Sequence, residues 1–480
     1  VSPPLSGGEP ERGSDIEPTV ASPPPGGFDV EVETLIIGAG ACGLVAALAA
    51  TEAGQAVCVI EADAVPAGST ALSAGLIPAA GTALQSAADI DDSPERFAAD
   101  IQRKARDEND PALVSALAEG AAPVLDWLTT HHGMPFSLVD DFDYPGHTRR
   151  RMHGLPTRAG RELIDALRAA CERAGVVIVC ERRATVIHHE GTRIDGVTVR
   201  CRDGSEETLG CEKLILACNG FGGHRAMVAH HLPDIADGLW FGHDGNRGEA
   251  VRWGERLGAV SEHLGAYQGH GNVAHPHGIL VTWAVITEGG VQLNAQGCRF
   301  HDESTGYSEA ARAVLAQAGG VAITVFDERI ARIARQFEDF RQAEAVGAIE
   351  RADTLGALAE RFSLPVDAVR RSVDERPSTA PDAFGRTFEG PPLQPPYRGV
   401  RVTGALFHTQ GGLVTDGCGR VAHADGGHFP NLFAGGGAAC GVSGAADRGY
   451  LSGNGLLSAV VLGYRAGRAA IGRTDAAGRG

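Results

Sequence analysis

The sequence predicts an α/β fold, a Rossmann-like dinucleotide-binding sheet assembled from separated parts of the chain with a second unit inserted between them. Three observations carry this expectation. The stretch "VETLIIGAGACGLVAALAATEAGQAVCVIEAD" reads as strand, GxGxxG turn, alanine-rich helix, second strand and terminal acid. "LILACNGFGG", Leu214 to Gly223, is an apolar strand ending in a glycine turn. "NLFAGGGAACGVSG", Asn431 to Gly444, is another, far along the chain, so one sheet has to draw strands from both ends.

Each residue of the first motif has a physical task. Gly38 permits the tight strand-to-helix turn, Gly40 lets a pyrophosphate approach the backbone at the helix N-terminus, and Gly43 lets the helix pack close on the sheet. Glu61 ends the second strand, where a carboxylate can accept hydrogen bonds from a ribose diol. The chain continues as "VPAGSTALSAGLIPAAG" rather than as another regular strand and helix. Small and hydroxylated residues there suit an extended cofactor running past the chain, which favours FAD over NAD. The expected cofactor wall therefore comprises Gly38, Gly40, Gly43, Glu61, Ala62, Ser69, Thr70, Ser73 and Gly75. Later segments add Ala184, Ala217, Gly220, Gly436, Gly437, Asn454, Leu456 and Leu457. The helix beginning near Gly453 should turn its positive end toward the flavin.

Composition narrows the function classes. With 42 basic against 60 acidic residues the 480-residue chain carries a net charge of −18, which argues against a nucleic-acid footprint or an anionic-membrane surface. A small-molecule substrate is expected. Ten scattered cysteines show no metal-binding or haem-attachment spacing, so no metal is expected and the thiols read as reduced, in a cytoplasmic protein. Residues 1–28, rich in Pro, Gly, Ser and acid, read as a disordered tail. Nothing is long and apolar enough to predict membrane insertion.

The motifs taken together resemble the flavoprotein family of fumarate reductases, succinate dehydrogenases and 3-ketosteroid 1-dehydrogenases. The resemblance rests on "IIGAGACGLVAA", "AGSTALSAG", "YQGHGN", "LNAQGCRFHDE", "TLGALAERFSLPVDAVRRSV", "FHTQGGLVTD", "NLFAGGGAACG" and "SGNGLLSAVVLGYRAG", over residues 30 to 470. It implies a glutathione-reductase-type FAD-binding domain, 29–265 and 404–475, interrupted by an α+β capping domain at 266–403. Apolar residues at helical spacing in "AVGAIERADTLGALAERFSLPVDAVRRSVDE" suggest that small helices form part of that cap. It also implies an oxidoreductase that moves a hydride between a carbon and flavin N5 and a proton at the adjacent carbon. A C–C double bond beside a carbonyl or carboxylate is thereby formed or reduced.

The resemblance implies site residues too. Arg299 of "GCRFHDE" falls on a proton-carrying arginine, with Glu303 as its relay. His408 of "HTQGGL" and His270 of "YQGHGN" fall on substrate-binding histidines. Tyr307 of "ESTGY" falls on the proton-abstracting tyrosine of ketosteroid dehydrogenases, and Tyr450 on the tyrosine that holds the ketone oxygen. Whether Arg299 or Tyr307 moves the proton stays open. Some positions depart from the family pattern. Trp283 stands where fumarate reductases carry a carboxylate, Arg448 lies two residues away from their carboxylate clamp, and Gly437 replaces a cofactor-binding glutamate. Ser69 before Thr70 replaces the histidine of covalent-FAD members, so FAD is expected to be noncovalent. The alternatives are a dicarboxylate enzyme of the fumarate reductase or succinate dehydrogenase type and a flavin-binding assembly protein without catalysis. The electron acceptor is not implied.

Overall fold

Three parallel strands, Val30–Ile37, Glu206–Leu216 and His428–Ala434, form the centre of the molecule in a computed structural model that describes residues 17–140, 143–374, 380–388 and 390–470. Ile37 pairs with Leu216, and Leu216 with Ala434, so the three strands end at one level. Strand Val57–Ile60 lies on the other flank, with Ile60 opposite Ile37. All four ends therefore open at the same edge, and the turns that follow (Gly38, Asn219–Gly220, Gly435–Gly436 and Glu61) converge there. A crevice outside the carboxyl ends of parallel strands is where open α/β sheets bind ligands. The full nine-stranded sheet continues through Val177–Val179 on one side and the antiparallel strands Arg193–Cys201 and Arg182–Glu190 on the other.

Only the carboxyl ends of these strands, Leu35–Ile37, Leu214–Leu216 and Leu432–Ala434, are unbroken apolar runs, buried because both faces are covered there. Helix Ala41–Glu52 is buried along its first ten residues, which explains why it carries almost no polar face. It packs against the C-terminal helix Asn454–Arg468, which is also largely buried.

Beyond Leu216 the chain builds a second, seven-stranded sheet with its own core of Trp283, Leu293, Phe326, Phe340, Val400 and Val402. Its organising strand is Tyr397–Thr409, which pairs with Tyr267–Ala274, Val321–Asp327, Ile349–Ala352 and Leu239–Trp240. The chain then returns to the first sheet at Arg420–Ala422, which pairs with His428–Ala434. Sheet membership thus begins at Leu239 and runs to Thr409, wider than 266–403, and the strand that carries His408 belongs to the second sheet. Of the expected helices, Leu355–Arg361 and Val366–Asp374 form, burying Leu358, Ala359, Val369 and Val373. Ile349–Ala352 is instead a strand, because its backbone completes the sheet beside Tyr397–Val400.

The expected tail needs correction where it is described. Residues Thr19–Ala21 form a strand parallel to Val186–His188 at the edge of the first sheet, and the Ser22 carbonyl bonds His188 Nδ1 at 2.8 Å. A sheet edge offers unpaired backbone groups that can order a segment too polar to build a core of its own. Residues 1–16 lie outside the described residues. Among the described residues no helix is long and apolar enough to cross a membrane.

Candidate active site

A cavity of about 620 Å³ follows the carboxyl edge of the first sheet and continues against the second. At its first end the glycine turn has the geometry its spacing implies. Gly38 sits at φ +103°, and a Cβ there would lie 2.5 Å from the Ala217 carbonyl oxygen. A Cβ on Gly43 would lie 1.9 Å from the Gly38 oxygen, so only glycine lets this helix start so close to the strand. Gly40 faces the cavity, where the Ala41 N–H already donates to Thr70 Oγ1 at 3.0 Å. Glu61 accepts from the Ala39 and Asp63 amides at 2.8 and 2.9 Å and also lines the cavity. Ala62, Ser69, Thr70, Ser73, Gly75, Ala184, Ala217, Gly436, Gly437 and Leu456 share this wall.

Four expected cofactor residues do not line the wall. Gly43 and Gly220 serve close packing, the latter against Thr409 Oγ1, and Leu457 lies in the core. Asn454, 1 % exposed, sits one layer behind the wall. Its Oδ1 and the Ser458 hydroxyl at the start of the C-terminal helix are buried polar atoms with no partner. A buried polar group without a partner costs free energy, so the Ser458 hydroxyl, on a residue that lines the cavity, suits the polar edge of a ring system entering there, with Asn454 behind it. Together with the open face of the glycine turn, they make the residues present fit a dinucleotide of the FAD type.

Sequence reasoning missed several wall residues. Asn219, at φ +65°, and Asn246 both donate to Ser69 Oγ, at 3.0 and 2.8 Å. Asn219 also explains the missing glutamate at Gly437, since a Cβ there would lie 2.0 Å from Asn219 Oδ1. Glu249, buried and paired with Arg183 at 2.7 Å, and His243, paired with Asp63 at 2.8 Å, complete this end. The asparagine inside the "LACNGFGG" turn was the one available signal, because asparagine tolerates the left-handed backbone.

At the other end the two sheets bring tyrosines and histidines together. Helix Tyr307–Leu315 starts at Tyr307, whose hydroxyl donates to Ser452 Oγ at 2.9 Å. The Tyr307 ring stacks on His270 at 4.9 Å and meets Tyr450 edge-on at 6.1 Å. His408 meets the same Tyr450 ring at 5.5 Å. Phe407 stacks on the far side of His270 at 5.3 Å, and Phe241 on Phe407 at 4.7 Å, with Trp283 perpendicular to His270. Burial pushes His270 down to about 3 and His408 down to about 4, so both imidazoles are neutral. Burial raises both phenols, and the bond to Ser452 offsets part of this for Tyr307.

Arg299, Glu303 and Arg448 are placed away from this group of rings. Arg299 is absent from the cavity wall. Its guanidinium is held by Glu303 and Asp382 and flanked by Phe384 and Phe388. Burial alone would lower its pKa, but the two carboxylates more than offset this and raise it. Glu303, fully buried, also accepts from Arg386 at 3.0 Å and from the Gln292 amide at 3.0 Å. Arg386 reaches on to the Ile286 and Gly290 carbonyls, so this network ties the helix after Trp283 to the strip "GCRFHDE". Arg448 pairs with Glu108 and is also absent from the wall.

A family model described as FAD binding domain matches residues 33–456. The chain belongs to that family. It is 29% identical over 447 residues to a probable fumarate reductase of Shewanella frigidimarina (strain NCIMB 400), covering 91% of this chain and 74% of that one. It is 28% identical over 330 residues to a 3-oxosteroid 1-dehydrogenase of Mycobacterium tuberculosis (strain ATCC 25618 / H37Rv), covering 58% of this chain and 57% of that one. A solved structure of the open conformation of a flavocytochrome c3 fumarate reductase superposes with a TM-score of 0.78 at 27% identity, over 92% of this chain and 78% of that one. The chain is accordingly an FAD-dependent oxidoreductase acting on CH–CH groups, with an FAD-binding domain and an inserted second domain.

Proposed function

We propose that this FAD enzyme moves hydrogen across a C–C bond next to an uncharged carbonyl, with Tyr307 handling the proton. One observation carries the reading. The wall formed by Tyr307, His270, His408 and Tyr450 holds neutral hydrogen-bonding groups among aromatic rings, and the elements bearing these residues place no arginine or lysine on it among the described residues. Among the described residues the arginines of the wall are Arg158, in the turn before helix Gly160–Arg173, and Arg182 and Arg183, at the start of strand Arg182–Glu190 of the first sheet. A dicarboxylate would be desolvated here without a counter-charge, which costs several kcal/mol per ion. A ketone oxygen needs only neutral donors, and Tyr450 and His408 supply them.

Bound FAD would supply the hydride donor or acceptor at N5. The protein's own part is to hold the carbonyl oxygen at Tyr450 and His408, exclude water with Trp283, Phe407 and Phe241, and exchange a proton between Tyr307 and the adjacent carbon. At neutral pH a phenol of raised pKa stays protonated, so Tyr307 is set as a proton donor. That favours the reductive direction, saturation of an α,β-unsaturated ketone. In the reverse direction Tyr307 would have to give up its proton first, and the Ser452 hydroxyl, turned to donate to the phenolate, would ease this step.

The test is anaerobic reoxidation of the prereduced holoenzyme by a series of α,β-unsaturated ketones, with fumarate as comparison. Ketones should restore the yellow flavin band and fumarate should not. Rapid reoxidation by fumarate alone would overturn the reading. The noncovalent state of FAD is proposed from Ser69 and is checked by denaturation, which should release all flavin into the filtrate. The cavity does not identify the electron partner. The ten cysteines are free thiols, with Cys298 and Cys418 exposed, which supports a reducing cytoplasmic setting.

A further inference from the structure

His408 is held from behind by a line of buried amides and a hydroxyl that the mechanism above does not use. Its Nδ1 lies 3.0 Å from Gln410 Nε2. The other end of that amide, Oε1, accepts from Ser443 Oγ at 2.6 Å, and Ser443 Oγ accepts from Asn454 Nδ2 at 3.1 Å. Gln410, Ser443 and Asn454 are 5, 1 and 1 % exposed, so water does not compete for these bonds. The Gln410 backbone is pinned on both sides, its N–H to the Ala266 carbonyl and its own carbonyl to the Gly441 N–H, each at 2.8 Å.

The direction of donation follows from valence. An amide nitrogen can only donate, so Asn454 donates to Ser443 and the single hydroxyl hydrogen of Ser443 goes to Gln410 Oε1. Gln410 then presents its N–H₂ to the imidazole, and Nδ1 must be the acceptor. The Thr409 carbonyl, the competing neighbour of Nδ1, lies farther away at 3.3 Å. The ring proton is left on Nε2. That edge sits over the first turn of the C-terminal helix, where a Cβ on Gly455 would lie 3.1 Å from Nε2, and His408 and Gly455 both line the cavity.

We propose that Gln410 is a positioning residue that, backed by Ser443 and Asn454, locks His408 in the Nε2–H tautomer so that a neutral N–H donor faces the substrate carbonyl. The inference rests on the reading of the site given above for its catalytic consequence, though the tautomer can be measured without any substrate. A tautomer set by the bond to the other ring nitrogen is a general device of functional histidines.

The experiment uses holoenzyme labelled with ¹⁵N-histidine, with His408 assigned in long-range ¹H–¹⁵N spectra by loss of its signals in His408→Phe. The wild type should show an unprotonated Nδ1 and a protonated Nε2. Gln410→Glu should move the proton to Nδ1, because a carboxylate only accepts, and should raise the His408 pKa toward neutrality. Gln410→Leu should leave a mixture and slow enone-dependent flavin reoxidation about tenfold, the scale of one lost orienting hydrogen bond. Ser443→Ala, a smaller change, should also loosen the tautomer if the Gln410 variants fail to load FAD. A wild-type spectrum with Nδ1 protonated, or an unchanged Nε2–H spectrum in Gln410→Leu, overturns the proposal. Absence of enone turnover with the expected spectra would instead count against the proposed reaction.

Discussion

Tyr307→Phe is the substitution that most directly tests the proposed chemistry, because it deletes one atom and leaves the packing in place. The phenylalanine ring keeps the 4.9 Å stack on His270 and the edge contact with Tyr450. What disappears is the hydroxyl and its 2.9 Å bond to Ser452, an interaction worth about 0.5–1.5 kcal/mol to stability. In a chain of 480 residues that lowers the melting temperature by about 3 °C at most. The kinetic loss should be far larger. A positioned general acid contributes about 10²- to 10⁴-fold, or roughly 3–5 kcal/mol of barrier. The assay is stopped-flow reoxidation of reduced holoenzyme by an enone, with FAD content and melting temperature measured on the same sample. The wild-type rate should also be nearly flat from about pH 6 to 9, since Tyr307 stays protonated and both site histidines stay neutral there. A Tyr307→Phe variant that loads FAD and retains a rate within about threefold of wild type refutes the assignment of the proton to this phenol.

Other outcomes follow from the same geometry. Arg299→Ala leaves Asp382 without its arginine and Glu303 with Arg386 alone, so it should cost about 3–5 kcal/mol of stability while the rate per folded, FAD-loaded molecule stays within about threefold of wild type; thermal denaturation and active-site titration separate the two effects. Gly437→Ala places a Cβ 2.0 Å from Asn219 Oδ1, which should push Asn219 off Ser69 and weaken FAD binding about tenfold or more, read by flavin fluorescence on titration of apoprotein. Burial lowers His147, His153 and His408 to about 4 and His270 to about 3. The unfolded chain therefore binds more protons than the folded one below the ordinary histidine value, and stability falls as pH drops from about 6.5 toward 4, by up to about 1.4 kcal/mol per pH unit for each histidine. Melting temperatures should decline more steeply between about pH 6 and 4.5 than between about pH 8 and 6.5, and the reverse ordering would contradict neutral burial of these rings.

The first half of the site was legible because its motifs are local. Strand, glycine turn, helix and acid lie within one short stretch, where Gly43 answers to Gly38 and Gly40 to nearby Thr70, although Gly38 meets Ala217 from the neighbouring strand. The strip "GCRFHDESTGY" was harder, since it carries Arg299 and Tyr307 eight residues apart and either could have faced the substrate. What separates them is a partner that spacing does not reveal. Asp382 pairs with Arg299, and Arg386 with its partner Glu303, from beyond the next elements, while Ser452 and Tyr450 come from the far end of the chain to meet Tyr307. Asn219, Asn246 and Gln410 went unnoticed for the same reason, because an amide shows its role only when its partners are seen.

By itself, then, the amino-acid sequence determined the FAD-binding sheet, the inserted unit, the cofactor and the class of reaction, because backbone turns and strand periodicity are set by neighbours in the chain. The tertiary structure decided which side chains meet in the cavity, that Arg299 and Arg448 pair with carboxylates away from its wall, and that Tyr307, His270, His408 and Tyr450 meet among aromatic rings. Hydrogen bonds and ion pairs between distant residues are settled only when the two sheets pack, and they place the two halves of one strip in different surroundings, Arg299 among carboxylates and Tyr307 among rings.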